Sequence, residues 1–146
     1  MFQRILVAID GGPNRHQALA TARELATLTG SRVRVVHVLA SAVAFDTLVR
    51  LEDDPEAHAV LDEAVTTLRS AGIDADGELF LGLTDQVPAV ISEAAAQFQA
   101  DLVVLSPHHR GAVAAFFNHR VSDTVAHTSR IAVLLAPEAA AESAGR

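Results

Sequence analysis

The chain has 146 residues, half of them hydrophobic and a fifth charged, and 18 carboxylates against 11 basic residues give a net charge of −7. That is the size and make-up of one globular domain able to bury a core without disulfides or metal, and not of a disordered chain. It holds no Cys, and every one of its basic residues is Arg. This excludes disulfide frameworks, Cys-ligated metal, Schiff-base lysines, Ser-Lys dyads and Walker-type phosphate lysines, while an acidic surface without a basic run argues against nucleic acid as a partner.

The opening MFQRILVAID has only a short apolar run, no small-residue cleavage pattern and an acidic residue straight after it, unlike a signal peptide. No stretch approaches the roughly 18 uninterrupted apolar residues of a membrane span, so no membrane partner is expected. The absence of Cys fits a reducing cytoplasm.

Residues 3–9 (QRILVAI) are apolar and β-branched and run into Asp10-Gly11-Gly12-Pro13, which predicts a buried strand and a turn. Pro13 suits the first turn of a helix. Ala18, Leu19, Ala22, Leu25, Ala26 and Thr29 carry the helix on, and Gly30 is placed to cap it. Residues 33–39 (VRVVHVL) read as a second strand covered on both faces, with His37 a core histidine. Residues 40–54 have no clean period or cap and are left as a short helix or a loop. From Pro55 a helix resumes on Val60, Leu61, Ala64, Val65 and Leu68, ending at Gly72. Residues 75–81 (ADGELFL) form a weaker strand whose Gly77 and acidic residues suggest a sheet edge. Thr84-Asp85 opens a third helix, with Val87, Val90, Ile91, Ala94 and Phe98 inward and Pro88 in its first turn. A fourth strand at 101–105 (DLVVL), a fourth helix at 118–128 and a fifth strand at 131–136 (IAVLLA) follow, and the small polar residues 138–146 form a frayed tail.

Five strands alternating with helices imply right-handed crossovers and an α/β fold: a doubly wound, five-stranded parallel sheet with helices on both faces. Ligands of such sheets bind beyond the carboxyl ends of the strands, where strand order reverses. If the first strand is central, as its apolar character suggests, residues 10–14 and 106–118 flank that crevice.

These two loops also carry a resemblance. ILVAIDGG at 5–12, VVHVL at 35–39 and DLVVLSPHHRGAVAAFFNHRVSDTVAHTSRIAVLLAP at 101–137 are similar to the first strand, second strand and C-terminal third of universal stress proteins. The resemblance implies a Rossmann-like domain over 1–137. It also implies an ATP site in which a G-x2-G-x9-G-[ST] segment after the fourth strand holds the phosphates through backbone amides. Here Ser106 and His109 stand where the family has its first two glycines, His119 where it has the third, and Arg120 where it has the hydroxyl residue. A phosphate cradle needs glycines so that the backbone can take positive φ and approach the oxygens with no Cβ between.

The other side of the family's site is kept. Asp10 matches the acidic residue that helps hold the nucleoside, Val38 a position that contacts adenine, and Val121 and Ser122 positions at the start of the next helix. The expectation is a protein with impaired or absent ATP binding and no resident cofactor. The alternative is a module taking ATP, AMP or another anion.

His108, His109, Arg110, His119 and Arg120 concentrate potential positive charge at the crevice, and two readings of them stand open. They bind an anion through side chains and a helix amino terminus, or they are solvent-facing loop residues. Adjacent histidines diverge and no H-x3-H pair accompanies them, so a metal site is not expected. There is no G-x-S-x-G elbow, and no enzymatic activity is expected; a weak ATPase is the remaining alternative. His16, His58 and His127 receive no role. Residues 131–136 read as an apolar sheet edge whose Ile131, Val133 and Leu135 invite a partner strand, and the resemblance implies a homodimer there. A regulatory role in stress, exercised on a protein partner, follows from the same resemblance.

Overall fold

The computed structural model describes residues 2–10, 13, 15–44, 47–50, 54–83, 87–105 and 131–137, with backbone alone at 40–44, 47–50, 54, 82, 83 and 88. The elements are β1 (Arg4–Ile9), α1 (Arg15–Thr29), β2 (Arg32–Ala44), β3 (Thr47–Arg50), α2 (Asp54–Ser70), β4 (Ala75–Leu83), α3 (Val87–Phe98), β5 (Leu102–Leu105) and β6 (Ala132–Leu135). The predicted fourth helix at 118–128 and tail at 138–146 lie outside the described residues.

With no polar side chain after Arg4, β1 suits a place with neighbours on all sides. It is the middle strand, pairing in parallel with β2 on one side and β5 on the other. β4 pairs in parallel outside β2, and β6 outside β5. The five parallel strands therefore stand in the order β4-β2-β1-β5-β6, a parallel sheet with the first strand in the middle as the sequence suggests.

Strand side chains alternate between faces, and the two faces bury different helices. Ile5, Val7 and Ile9 of β1 and Val33 and Val35 of β2 pack beneath Ala22 and Ala26 of α1 and Leu61 and Leu68 of α2. Leu6, Ala8, Val36 and Val38 pack instead against Val87, Ile91, Ala95 and Phe98 of α3. Helices thus cover both faces, and the change of face coincides with the reversal of strand order at β1.

The helix ends are fixed locally. Gly30, at φ 71°, donates its N–H to the Ala26 carbonyl at 2.8 Å, as a cap does. Gly72, at φ 83°, ends α2 in a Schellman pair, in which its own N–H reaches the Arg69 carbonyl and that of Ile73 the Leu68 carbonyl. α3 closes with the same two bonds, from Gln99 to Ala96 and Ala100 to Ala95, but on a residue with a Cβ at φ 58°.

Residues 40–54, expected to be a short helix or loop, are neither over most of their length. β2 runs on to Ala44, and after two residues β3 returns antiparallel, Thr47 opposite Ala44 and Arg50 opposite Ser41. Small residues in 40–44 hide the period that would mark a strand.

β4 is an edge of the sheet, as its acidic residues suggest, but Gly77 has a second reason to be glycine. A Cβ there would lie 2.8 Å from Val65 Cγ2 and 3.0 Å from Leu61 Cδ1, so α2 rests on bare backbone. On the other face Arg34 of β2 forks onto Asp76 of β4, at 2.9 and 3.0 Å, reaches Glu78 at 3.4 Å, and lies 4.6 Å from the centroid of the Phe98 ring. Hydrogen bonding to Arg34, then its charge, outweighs burial and holds the Asp76 carboxyl below its ordinary value.

Three consequences can be measured. Gly77→Ala should lower stability by about 1–3 kcal/mol in denaturant titration, since α2 must shift to admit the methyl. Gln99→Gly should raise it by about 1 kcal/mol, because glycine takes positive φ without the penalty a Cβ brings. The stability that the lowered Asp76 pKa contributes is complete above the ordinary carboxylate value of 3.8 and is lost as pH falls through the lowered one. Asp76→Asn should therefore reduce stability at neutral pH and flatten the acid limb of the stability profile, and an unchanged limb would assign the acid sensitivity to other carboxylates.

Candidate functional site

The order β4-β2-β1-β5-β6 places the reversal point between β1 and β5, and the crevice lies beyond their carboxyl ends. β1 ends at Ile9 opposite His37, and β5 ends at Leu105 opposite Ala8. Asp10, the next residue on β1, stands half-buried at the floor of this crevice. The connection that begins at Ser106 leaves the adjacent strand at the same level. The two loops that the sequence singles out do start side by side.

Val38 follows His37 on β2, so it sits one step beyond the last β1–β2 pair, level with Asp10. Its side chain is 7% exposed and belongs to the cluster under α3. It is a core residue of the α3 face at the level where β1 gives way to Asp10. His37 is fully buried, as expected of a core histidine, and its side chain belongs to the interior of the domain.

Ser106, His109, His119, Arg120, Val121 and Ser122 lie outside the described residues, as do His108 and Arg110. Of the predicted site residues Asp10 and Val38 are described, and they follow the last β1–β2 pair, Ile9 opposite His37, in register. Among the described residues no three His, Cys, Asp or Glu side chains gather as a metal site, and no helix is long and apolar enough to cross a membrane.

The register shows a feature of the crevice that the sequence reading misses. Ser41 pairs with Arg50 of β3 and also with Leu83 of β4. A strand residue has one neighbour on each side, so β3 must lie on the opposite side of β2 from β4, which is the side of β1. β1 has stopped four residues earlier on β2, at His37, and β3 continues its row with the carboxyl end of the crevice between them. Arg50 holds the β3 register position nearest to the end of β1. The signal was present as the β-branched pair Thr47 and Val49 following a two-residue gap, a hairpin spacing.

Chemically, a half-buried carboxylate beside an apolar floor can accept hydrogen bonds from the hydroxyls or amino group of a nucleoside and leave its base on a hydrophobic contact. A carboxylate repels phosphate, so an anionic group has to be held by the other side of the crevice, the side on which the 106–122 segment begins.

The whole-chain comparisons agree with this geometry. A solved universal stress protein from Burkholderia pseudomallei is 27% identical, with 92% of this chain and 96% of that one covered and a TM-score of 0.68. One from Archaeoglobus fulgidus is 25% identical, with coverage of 94% and 95% and a TM-score of 0.67. A universal stress protein from the same organism, in complex with dAMP, is 26% identical, with coverage of 92% and 98% and a TM-score of 0.66. No protein of curated function matches the chain. The family model for the universal stress protein family matches residues 1–137, and with all but the last nine residues accounted for, the chain belongs to that family.

Proposed function

We propose that this protein is a dimeric, cytoplasmic stress-response regulator that has lost the backbone seat for the ATP triphosphate and acts through protein contacts, without turnover. The observation that carries this is the replacement of the motif glycines by Ser106, His109 and His119, with Arg120 at the hydroxyl position. A residue with a Cβ at a left-handed position costs about 1–2 kcal/mol, and each lost hydrogen bond to a charged phosphate forfeits about 1.5–3 kcal/mol. Two or three such losses together weaken binding by several orders of magnitude, while Asp10 and Val38 retain only the nucleoside side.

A second reading is favoured by the 26%-identical relative in complex with dAMP. A mononucleotide has one phosphate to seat, and His109 and Arg120 could hold it by side chains where the glycines no longer do, with Ser106, Val121 and Ser122 around it.

Dimerisation is supported by the position of β6. It pairs with β5 on one side only among the described residues, and Leu135 on it is 51% exposed. An apolar edge strand of this kind pairs with a second copy of itself.

Titration calorimetry with ATP, AMP, dAMP and inorganic phosphate separates the readings. The first expects no heat from ATP, and micromolar ATP binding that vanishes in Asp10→Ala would overturn it. Under the second, dAMP binds while ATP does not, and His109→Ala with Arg120→Ala lowers the dAMP affinity at least about tenfold, the loss of one charge-assisted contact. ATP hydrolysis faster than in a matched Asp10→Ala control would refute the absence of turnover.

A further inference from the structure

β2 does not stop where β1 does. The pairing of β1 ends at Ile9 opposite His37, while β4 stays beside β2 as far as Leu83 opposite Ser41. On the other flank β3 takes the rows from Ser41 to Ala44, with Arg50 opposite Ser41 and Thr47 opposite Ala44. The Ser41 row is thus held by β4 from one side, and Arg50 occupies its other side, in line with β1. Asp10 follows Ile9 and is level with Val38, so three strand steps, about 10 Å, separate it from the Arg50 row.

A carboxylate and an arginine therefore bound one stretch of the β1 row, one at each end. Among the described residues no other arginine is placed in this way. Arg4, Arg32 and Arg34 fall within the first three residues of their strands, at the opposite end of the sheet. Arg69 donates to the Ala75 carbonyl at that same end, Arg15 bridges Glu63 at 3.8 Å, and Arg23 lies within α1.

We propose that Arg50 reads the base of a mononucleotide held in the crevice and selects guanine over adenine. The inference rests on the mononucleotide reading above and gives it a base. The row that Arg50 shares with Asp10 is the nucleoside side of the crevice, and the phosphate belongs to the side on which the 106–122 segment begins. An arginine on the nucleoside side therefore has a base to recognise and not a phosphate. A guanidinium carries donors only. Guanine presents N7 and O6, two adjacent acceptors that take both N–H groups of an arginine fork, whereas adenine sets its N6 amino donor where O6 would be. Asp10, which accepts, keeps the sugar hydroxyl.

Titration calorimetry with dGMP and dAMP on the wild type, Arg50→Ala and Arg50→Gln tests the assignment, each variant checked for an unchanged far-ultraviolet spectrum. The wild type should prefer dGMP at least about fivefold, the low end of what one bidentate base contact discriminates. Arg50→Ala should remove that preference. Arg50→Gln should turn it towards dAMP, because a carboxamide has both a donor and an acceptor to match adenine N7 and N6.

A wild type that prefers dAMP or binds the two equally would overturn the inference and leave the mononucleotide reading standing. So would a dGMP preference that both variants keep. If the hairpin needs arginine only for its own fold, the variants lose both nucleotides alike, and that result also overturns the inference. A wild type that binds neither nucleotide would overturn the mononucleotide reading and the inference with it.

Discussion

The burial of β1 is the constraint on which the rest of this protein depends. Ile5, Leu6 and Val7 are entirely withdrawn from solvent, and Ala8 and Ile9 nearly so, which for the larger side chains amounts to about 1.5–3 kcal/mol each. A strand buried on both faces needs a helix layer above and below, and a strand paired on both edges has β2 and β5 fixed beside it. Its start is fixed as well, because the Asp101 carboxylate accepts the backbone N–H of Gln3 at 2.8 Å and of Arg4 at 3.1 Å. Everything at the other end follows: Asp10 comes out at the crevice because β1 has no freedom to slide, and a slip of one residue would turn every buried side chain to the wrong face.

The crevice inherits that rigidity on one side and a different construction on the other. Asp10 and Val38 stand at the end of the β1–β2 ladder, whose apolar side chains are buried, whereas the β2–β3 hairpin runs on past the end of β1 on its own antiparallel ladder. Of that crevice the described residues therefore fix the β1–β2 side, where Asp10 and Val38 stand in register. Fold membership rests on β1 and its neighbours.

Much of the fold is legible in the sequence because it rests on patterns with a strong physical cause. RILVAI, VRVVHVL and DLVVL leave no polar face, so parallel strands between helix layers are the available reading, and Gly30 and Gly72 mark their helix ends because only glycine takes that conformation readily. What is not legible has equally specific causes. ASAVA carries too little side chain to show a two-residue period, so the extension of β2 and the β3 hairpin are missed. Gly77 reads as a weak point in an edge strand because α2, which needs it bare, lies outside any local window. Gln99 violates the expectation that a helix stops on glycine, and nothing in its neighbourhood shows that Schellman bonds are formed on it. Of the site, the position of Asp10 follows from strand order, while the depth at which Val38 is packed depends on α3, which no nearby residue reports.

The two edges of the sheet are built differently, and this bears on which of them can associate. β4 carries Asp76 and Glu78, and Asp74 stands just before it; they bridge to Arg34 at 2.9 and 3.4 Å and to Arg32 at 3.0 Å on β2. A strand pairing there would have to desolvate these carboxylates or break their bridges, and charges on an edge are a recognised device against such pairing. The described residues of β6 are Ala, Val, Leu and Leu with no charge among them. An exposed surface costs nothing to leave open only if it is polar. The two edges of the sheet thus differ in kind: β4 is guarded by ion-paired carboxylates, and β6 carries none.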